Sequence, residues 1–416
     1  MASYKKKKKK KKFNSGRFII GFVFLLITLA FLYLTFVLRD VGAEFAASVT
    51  PTPVPTATAA PYTVASSTAV SAAAATPTPV PTPEPTPEPQ PEYFTLSFIG
   101  DNTFWSNKNF VYSEAGLPLT VGDDYSYPYK NTAQYFLDDE YTLANLECTL
   151  SDQTLYSSET FSFCAPTKYV NILTEGGVDF VTMANNHTMD FYETGRNDTT
   201  ATLDSVGFPY GNEDEHSIVT TPNGIKLGIY TGYNTYHPED KWNSIQAAID
   251  EMRSNGADLI ICMFHWGQEL YYTPNSSQTD LAHKCIDAGV DIVYGSHPHC
   301  LQPIEVYNGK LIMYSMGNWV FGGSTAPSDC DTAIVQVTVK RDVDGTVSYE
   351  GFEAIPCCVS SKIDDALNKR DNYNDYCPTP YEVGSTGYER AMSKLNGTYE
   401  AASQGADYSN YYASWG

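Results

Sequence analysis

The chain has 416 residues, 42% of them hydrophobic, and a formal net charge of −22 at pH 7. Residues 1–40 hold 10 of the 26 basic residues and one acidic residue, so the remainder holds 16 basic residues against 47 acidic ones, a difference of −31. Because contacts with nucleic-acid phosphates require clustered lysine and arginine, this distribution argues against a nucleic-acid partner.

The first 38 residues carry the pattern of a membrane anchor. Eight consecutive lysines fall within residues 1–17, which we predict to be cytoplasmic because basic residues stay on that side of a membrane. Residues 18–38 contain no charged residue and are long enough to span a bilayer as a helix. A cleavable signal peptide has an apolar core of only about 7–15 residues. We therefore expect a single-pass protein of the cell membrane whose C-terminal domain is extracellular.

Residues 39–92 are rich in proline, threonine and alanine and end in a run of alternating prolines. Such a segment lacks the apolar content needed for a core, which predicts an extended, semi-rigid linker. Residues 93–360 are expected to form the globular domain. Residues 361–416 form an acidic tail rich in tyrosine and asparagine, for which wrapping around the domain and partial disorder both remain open.

Within the globular domain, β-rich runs alternate with segments of helical periodicity. Strands are predicted at 93–99, 141–146, 179–184, 226–231, 258–264 and 292–294, and helices at 167–175, before Gly207, at 244–254 and at 277–288. This alternation predicts an α/β fold. Further along, Asn308-Gly309 predicts a hairpin between 302–306 and 310–315. A second antiparallel pair is predicted at 332–340 and 346–359.

Polar residues that bind metals occur at the ends of several predicted strands. They are Asp101, Glu147, Asn186, His265, His297 and His299. The C-terminal ends of strands in α/β sheets lie at one edge, so these side chains are able to converge. Carboxylate oxygen, amide oxygen and imidazole nitrogen suit zinc, manganese or iron, and we predict one or two divalent ions. Gly295 is expected to permit a sharp turn before His297. The alternative is that His297 and His299 are ordinary loop histidines.

The motifs around these residues resemble one family. They are GD at 100–101, NLE at 145–147, ANNH at 184–187, HWG at 265–267 with Glu269, GSHPH at 295–299 and YSMGNWVF at 314–321. Over residues 93–360 the chain resembles the CapA family of capsule and poly-gamma-glutamate synthesis, relatives of the calcineurin-like metallophosphoesterases. The resemblance implies a metallophosphoesterase-like four-layer sandwich, in which two central β-sheets are flanked by helices.

The same resemblance implies roles for individual residues. The six residues at the strand ends would be metal ligands, and His187, held by Asp190, would be the general acid. The alternative is that Asn186 and His187 only cap a helix. The chain departs from the phosphoesterase pattern at Thr103, where a histidine is usual, and at Glu147, where an aspartate is usual. These departures leave phosphoesterase activity and full occupancy of both metal positions open.

Other candidate residues carry weaker signals. The nine cysteines match no zinc-binding spacing, and Cys262 is interpreted as a small buried hydrophobe. Glu269 either orients a metal ligand or is exposed. The other histidines, His216, His237 and His283, are interpreted as surface or packing residues. The tryptophans near the motifs, Trp105, Trp266 and Trp319, are interpreted as core residues rather than as the walls of a groove.

Two functions are consistent with this sequence. The first is a metal-dependent hydrolase that cuts a phosphoester or a γ-glutamyl amide in a capsule or cell-wall polymer. The second is a non-catalytic binding or export component that assembles with polyglutamate synthase components. The presence of a candidate acid, His187, beside the candidate ligands favours chemistry, because binding alone requires no acid.

Overall fold

The computed structural model describes residues 89–106, 111, 116–157, 159–233, 241–362 and 374–401. These residues belong to one compact unit that begins at Pro85. The predicted lysine segment, the anchor at 18–38 and nearly all of the linker lie outside the described residues. In the part of the chain that is described, no helix is both long enough and apolar enough to cross a membrane.

The first of two large sheets has eight strands, numbered here in chain order. They are β1 (Glu92–Thr103), β2 (Tyr141–Leu146), β5 (Phe180–Thr182), β6 (Tyr210–Gly211), β13 (Asn318–Phe321), β14 (Asp331–Arg341), β15 (Val347–Cys358) and β16 (Thr379–Pro380). The order across the sheet is β16-β15-β14-β1-β2-β5-β6, and β13 pairs with the end of β1. The central strand β1 is parallel to β2 and antiparallel to β14.

The second large sheet has six strands. They are β7 (Glu215–Thr220), β8 (Lys226–Tyr233), β9 (Leu259–His265), β10 (Ile292–Ser296), β11 (Ile304–Tyr307) and β12 (Lys310–Met313). Their order across the sheet is β11-β12-β10-β9-β8-β7. Strands β8, β9, β10 and β12 are parallel, so their C-terminal ends share one edge. A separate two-stranded ribbon consists of β3 (Thr149–Leu150) and β4 (Cys164–Ala165).

Six α-helices occur in the described ranges. They are α1 (Leu117–Val121), α2 (Asn171–Gly176), α3 (Tyr192–Ser205), α4 (Trp242–Ser254), α5 (Ser276–Asp287) and α6 (Thr386–Leu395). Short 3₁₀ turns occupy Tyr127–Tyr129, Ala133–Tyr135 and Thr167–Val170. Helix α5 begins with a capping box, in which the side chains of Asn275 and Gln278 each accept a hydrogen bond from the other's backbone N–H.

Buried side chains form separate hydrophobic clusters that define the layers. One cluster joins the sheets, with Leu96 and Leu143 of the first sheet packed with Ile261 and Tyr294 of the second. Another lies between the first sheet and helices α2 and α3, and a third lies between the second sheet and helices α4 and α5. The fold is therefore mixed α/β, with two sheets packed together and helices on their outer faces.

Several predicted elements are confirmed. Strand β2 has the predicted bounds, and β11 and β12 form the predicted hairpin. Its turn residues Asn308 and Gly309 have φ angles of 49° and 75°, the left-handed values that this turn requires. The predicted strand at 93–99 is longer than expected and continues to Thr103, because β13 pairs with its C-terminal end.

Residues 374–401, which the sequence placed in the tail, contribute to the fold. Strand β16 extends the first sheet beside β15, and helix α6 packs on β14 and β15. The ammonium group of Lys394 lies 2.6 Å from both Asp329 and Asp331, and Arg390 also pairs with Asp331. These buried ion pairs join the end of the described chain to the start of β14.

Candidate metal centre

The six residues predicted as ligands converge at the edge where both sheets present strand ends. Glu147 follows β2, and His265 is the last residue of β9. His297 directly follows β10. Asp101 differs from expectation, because it lies inside β1 rather than after it. Its backbone pairs there with Asn318 of β13, so Asp101 is part of the first sheet.

One group of side chains surrounds His265. Its Nε2 atom lies 2.7 Å from Oδ1 of Asn186, 3.1 Å from Nδ1 of His297 and 3.5 Å from Oε1 of Glu147. His265 and Glu147 are fully buried. Carboxylate, amide oxygen and two imidazoles therefore face one small volume, a donor set that suits a divalent transition metal.

A second group of side chains also includes Glu147. His299 Nε2 is 3.9 Å from Oε1 of Glu147, and His299 Nδ1 is 3.6 Å from Oδ2 of Asp101. One ligand atom from each of Asp101, Glu147 and His299 lies within 4.8 Å of the others, a spacing that would admit a metal ion. Glu147 thus belongs to both groups.

The loop after β10 has an unusual backbone. His297 and His299 have φ angles of 98° and 53°, values that residues with side chains seldom adopt. The expected turn at Gly295 is not what the structure has, because Gly295 is still part of β10. Its missing side chain instead allows close packing, since a Cβ atom there would lie 2.1 Å from the carbonyl oxygen of Tyr314.

Polar residues that the sequence analysis did not single out hold the candidate ligands. Asn145 donates from Nδ2 to Oδ1 of Asp101 at 2.7 Å, and Asn185 donates to Oδ1 of Asn145 at 3.0 Å. Asn318 Oδ1 lies 2.9 Å from Nδ1 of His299. Ser296 Oγ lies 2.9 Å from Nδ1 of His265. All four residues lie in the motifs NLE, ANNH, YSMGNWVF and GSHPH, so their positions were a usable signal.

The environment of Glu147 in the candidate centre disfavours the charged form of its carboxyl group. Both carboxylate oxygens of Glu147 are buried and have no hydrogen-bond partner. Burial, followed by the neighbouring Asp101, raises the pKa of Glu147 to about 8. A buried unpaired carboxylate is costly, and a bound cation would remove that cost. The residues present therefore fit a divalent metal ion.

The three candidate histidine ligands differ in charge preference. Burial and the neighbouring histidines lower the pKa of His265 and bring the pKa of His297 to about 3, so both favour the neutral, ligating form. Burial opposes protonation of His299 as well, but Glu147 and Asp101 outweigh it and raise its pKa to about 10.

His187 lies beside the ligand groups in a turn before α3. Its Nδ1 atom is 2.8 Å from Oδ2 of Asp190, and the same oxygen accepts a hydrogen bond from the backbone of Phe163 at 3.1 Å. The residue at the N-cap of α3 is Phe191, so Asn186 and His187 do not cap the helix. Burial lowers the pKa of His187, but the contact with Asp190 outweighs it and raises the pKa overall.

A cleft of about 410 Å³ opens onto His187 and His299. Phe163, Phe321 and Phe161 contribute its apolar surface. Glu159, Thr160, Asn186, Asp190, Glu269 and Gly323 complete its lining. A substrate group in this cleft would contact the imidazole of His187 and the candidate ligands Asn186 and His299.

The remaining candidate residues lie in other surroundings. Thr103, found where the phosphoesterase pattern has a histidine, is buried, and its hydroxyl has no hydrogen-bond partner. The three tryptophans pack with aromatic neighbours rather than lining this cleft. His283 stacks on Tyr307, and His216 pairs with Glu251. His237 lies outside the described residues.

All nine cysteines lie in the described ranges, and none forms a disulfide. Cys262 is fully buried between β9 and the helices that cover the second sheet, as expected for a small hydrophobe. Burial raises the pKa of the Cys148 thiol, which follows the candidate ligand Glu147, so the thiol stays protonated.

Comparison with known proteins accounts for this arrangement of motifs. Residues 95–323 match the family described as bacterial capsule synthesis protein PGA_cap. The chain belongs to this family. The PGA biosynthesis protein CapA of Bacillus subtilis is 33% identical over 237 residues, which are 52% of this chain and 61% of that protein. The capsule biosynthesis protein CapA of Bacillus anthracis is 30% identical over 240 residues, which are 51% of this chain and 58% of that protein.

These matches span about three fifths of the length of the two relatives. A probable polyglutamine synthesis accessory protein of Mycobacterium tuberculosis is 28% identical over 220 residues, 43% of this chain and 58% of that protein. The crystal structure of a hypothetical protein from Thermus thermophilus matches 63% of this chain and 98% of that chain at 14% identity, with a TM-score of 0.40. That score is too low to support an argument about fold.

Proposed function

We propose that this capsule-synthesis family member is a metal-dependent hydrolase, which cuts a phosphoester or a γ-glutamyl amide in a capsule or cell-wall polymer. The observation that carries the proposal is Glu147, a fully buried carboxylate whose two oxygens have no hydrogen-bond partner and which lies among imidazoles. A protein retains such a costly arrangement where a ligand compensates for it.

The proposed ligands are the six residues that converge at the sheet edge: Asp101, Glu147, Asn186, His265, His297 and His299. We assign them to one or two divalent ions, of zinc, manganese or iron. Ions bound there would polarise the bond to be cut and stabilise the negative charge that develops on it. Because Glu147 belongs to both side-chain groups, it would help to hold an ion in either group.

His187 is proposed to donate a proton to the leaving group. Asp190 lies against Nδ1 of the imidazole, which leaves Nε2 as the atom available to the cleft. Asp190 is itself held by the backbone N–H of Phe163. This chain of contacts fixes the ring and favours its protonated form, as a general acid requires.

The proposal extends to fold and location. We propose a metallophosphoesterase-like four-layer sandwich, attached to the cell membrane by residues 18–38 and displayed outside the cell on the linker 39–92. Its partners would be the membrane, a capsule or wall polymer and components of a polyglutamate synthase.

A second candidate is a non-catalytic binding or export component of the same pathway. The observation that favours it is Thr103, which leaves one metal position without the histidine of the phosphoesterase pattern. The name of the mycobacterial relative, an accessory protein, agrees with this alternative.

The substitution His187→Asn separates the two candidates. It should preserve metal content and folding, because His187 is a proposed proton donor rather than a ligand. Hydrolysis should fall about 10²–10⁴-fold, the usual contribution of a general acid. Turnover of phosphoester and γ-glutamyl substrates is measured beside metal content, with His283→Asn on α5 as the matched control. Full cellular function in His187→Asn, together with loss of function in ligand variants, would leave only the non-catalytic role.

A further inference from the structure

The apolar part of the cleft is made of phenyl rings that pack on its two histidines. The ring centroids of Phe163 and His187 are 4.9 Å apart, and those of Phe321 and His299 are 5.2 Å apart. Phe163 and Phe321 are almost completely buried, so their positions are fixed by the core. Phe161 is partly exposed at the mouth of the cleft.

Apart from its two histidines, the charged side chains that line the cleft are all acidic. Glu159 is exposed at the rim, Glu269 is half-buried, and Asp190 lies behind His187. Among the described lining residues there is no lysine or arginine. Any positive charge on His299 is opposed by Asp101 and Glu147, which lie 3.6 Å and 3.9 Å away.

These apolar and acidic lining residues disfavour binding of an internal segment of a polyanion. Each residue of a γ-linked glutamate chain carries a carboxylate, and a phosphodiester polymer carries a charge in each unit. Outside the metal ligands, such charges would meet Glu159 and Glu269 with no lysine or arginine among the described lining residues to offset them. A cation would instead be attracted to the carboxylates and to the faces of the phenyl rings.

We propose that the cleft binds a substrate group bearing a primary ammonium, with Glu159 as its counter-charge and the rings of Phe161 and Phe163 as its walls. This inference rests on the proposed function, which supplies the bond that is cut. The inference itself concerns the end of the substrate that the cleft recognises. The ammonium comes either from the amino end of a γ-linked glutamate chain or from an amine side chain of a wall peptide. Both sources share the chemistry that the cleft recognises.

The test measures binding of two matched pairs of probes to the full-length chain by calorimetry. One pair is γ-linked triglutamate and its N-acetyl derivative. The other is a short lysine-containing wall peptide and its Nε-acetyl derivative. The free amine of at least one pair should bind about three- to fivefold more tightly, as expected for an ion pair at a partly exposed carboxylate. The pair that shows the preference identifies the source of the ammonium.

The substitution Glu159→Gln should abolish this preference without disturbing the fold, because the side chain is exposed. Glu353→Gln is the matched control, since Glu353 is an exposed residue of β15 that does not line the cleft. Equal binding of free and acetylated probes would overturn the inference. Affinity that rises with each added glutamate residue would overturn it as well.

Binding is measured both with manganese and with an excess of chelator, because Glu159 and the phenyl rings need no metal. An amine preference that persists in chelator, in a chain that hydrolyses no substrate, would support the inference and count against the hydrolase. Hydrolysis of the free and acetylated probes at equal rates would support the hydrolase and overturn the inference.

Discussion

Two buried carboxylates of this protein have the same exposure and opposite surroundings. Asp331, at the start of β14, accepts hydrogen bonds at Oδ1 from Arg390 at 2.6 Å and Tyr381 at 2.7 Å. Its Oδ2 accepts from Arg390 at 2.8 Å and from Lys394 at 2.6 Å. Glu147, directly after β2, is also buried, and neither of its oxygens has a hydrogen-bond partner.

The electrostatic consequences are opposite as well. Burial alone would raise the pKa of Asp331, but Arg390 and Lys394 reverse this effect and lower it. In the described part of the chain no lysine or arginine pairs with Glu147, and burial raises its pKa to about 8. Burial of a carboxylate therefore does not mark a functional site. A buried carboxylate without hydrogen-bond partners, among side chains of the types that ligate metals, marks a candidate site.

The largest effect on stability is expected when the buried ion pairs of Asp329 and Asp331 are broken. Lys394→Met leaves the carboxylates of Asp329 and Asp331 buried with fewer partners, so the free energy of unfolding should fall by about 3–5 kcal/mol. Denaturant unfolding of the full chain measures this loss. Lys340→Met, which removes a surface ion pair with Asp342, is the control and should change little. A similar loss in both variants would mean that the buried cluster contributes nothing special.

A smaller effect on stability, whose sign depends on whether metal is bound, is expected for substitution of Glu147. In chelator, Glu147→Gln should raise the free energy of unfolding by about 1–3 kcal/mol, because it removes a buried carboxyl whose ionisation the folded chain opposes. With metal present, the same variant should be less stable than the wild type, because it binds the ion more weakly. Thermal unfolding in both conditions measures the two differences.

Asp331→Asn is the matched comparison for that experiment, and it should destabilise the chain equally with and without metal. Its lowered pKa gives Asp331 a stabilising effect above its ordinary pKa of 3.8, which is lost as the pH falls through the lower value of the folded chain. The variant should lose this acid dependence. Destabilisation of Glu147→Gln in chelator would remove the distinction between the two carboxylates.

The smallest effect is expected from a residue that holds a ligand without being one. Asn318→Ala removes the partner 2.9 Å from Nδ1 of His299, so the imidazole loses its fixed orientation. Metal affinity should fall about tenfold, as is usual when such a support is removed. A competition titration with a chelating dye measures the change. Asn255→Ala, at the exposed end of α4, is the control, and equal affinities in the two variants would show that Asn318 has no such role.

Local sequence signals predicted much of the fold. Strand β2 and the hairpin at Asn308-Gly309 follow from apolar runs and turn residues, which act over a few positions. Strand β13 was missed because it has only four residues and forms through pairing with a distant strand. The ion pairs between helix α6 and Asp331 were missed for a similar reason, since Arg390 and Lys394 lie 59 and 63 residues from Asp331.

The candidate site could be predicted as a set but not as a geometry. The rule that strand ends share an edge brought together residues such as Asp101 and His265 before any distance was known. The same rule said nothing about Asn145, which lies between them and contacts both. Neither could it distinguish Glu147 from any other acid at a strand end, because the absence of partners is a property of the packed structure.

The position of β1 has a consequence for how the chain reaches its folded state. This strand carries Asp101, yet one of its two neighbours is β14, and the first residue of β1, Glu92, bonds to Arg341 at a separation of 249 residues. Contacts so distant in sequence form slowly, because a long loop must close first. Until β14 has been synthesised, one edge of β1 exposes unpaired backbone groups, which other chains can bind. Folding of the central strand therefore depends on the late synthesis of β14, and a truncation before Asp331, which removes β14, should produce aggregation rather than a smaller folded domain.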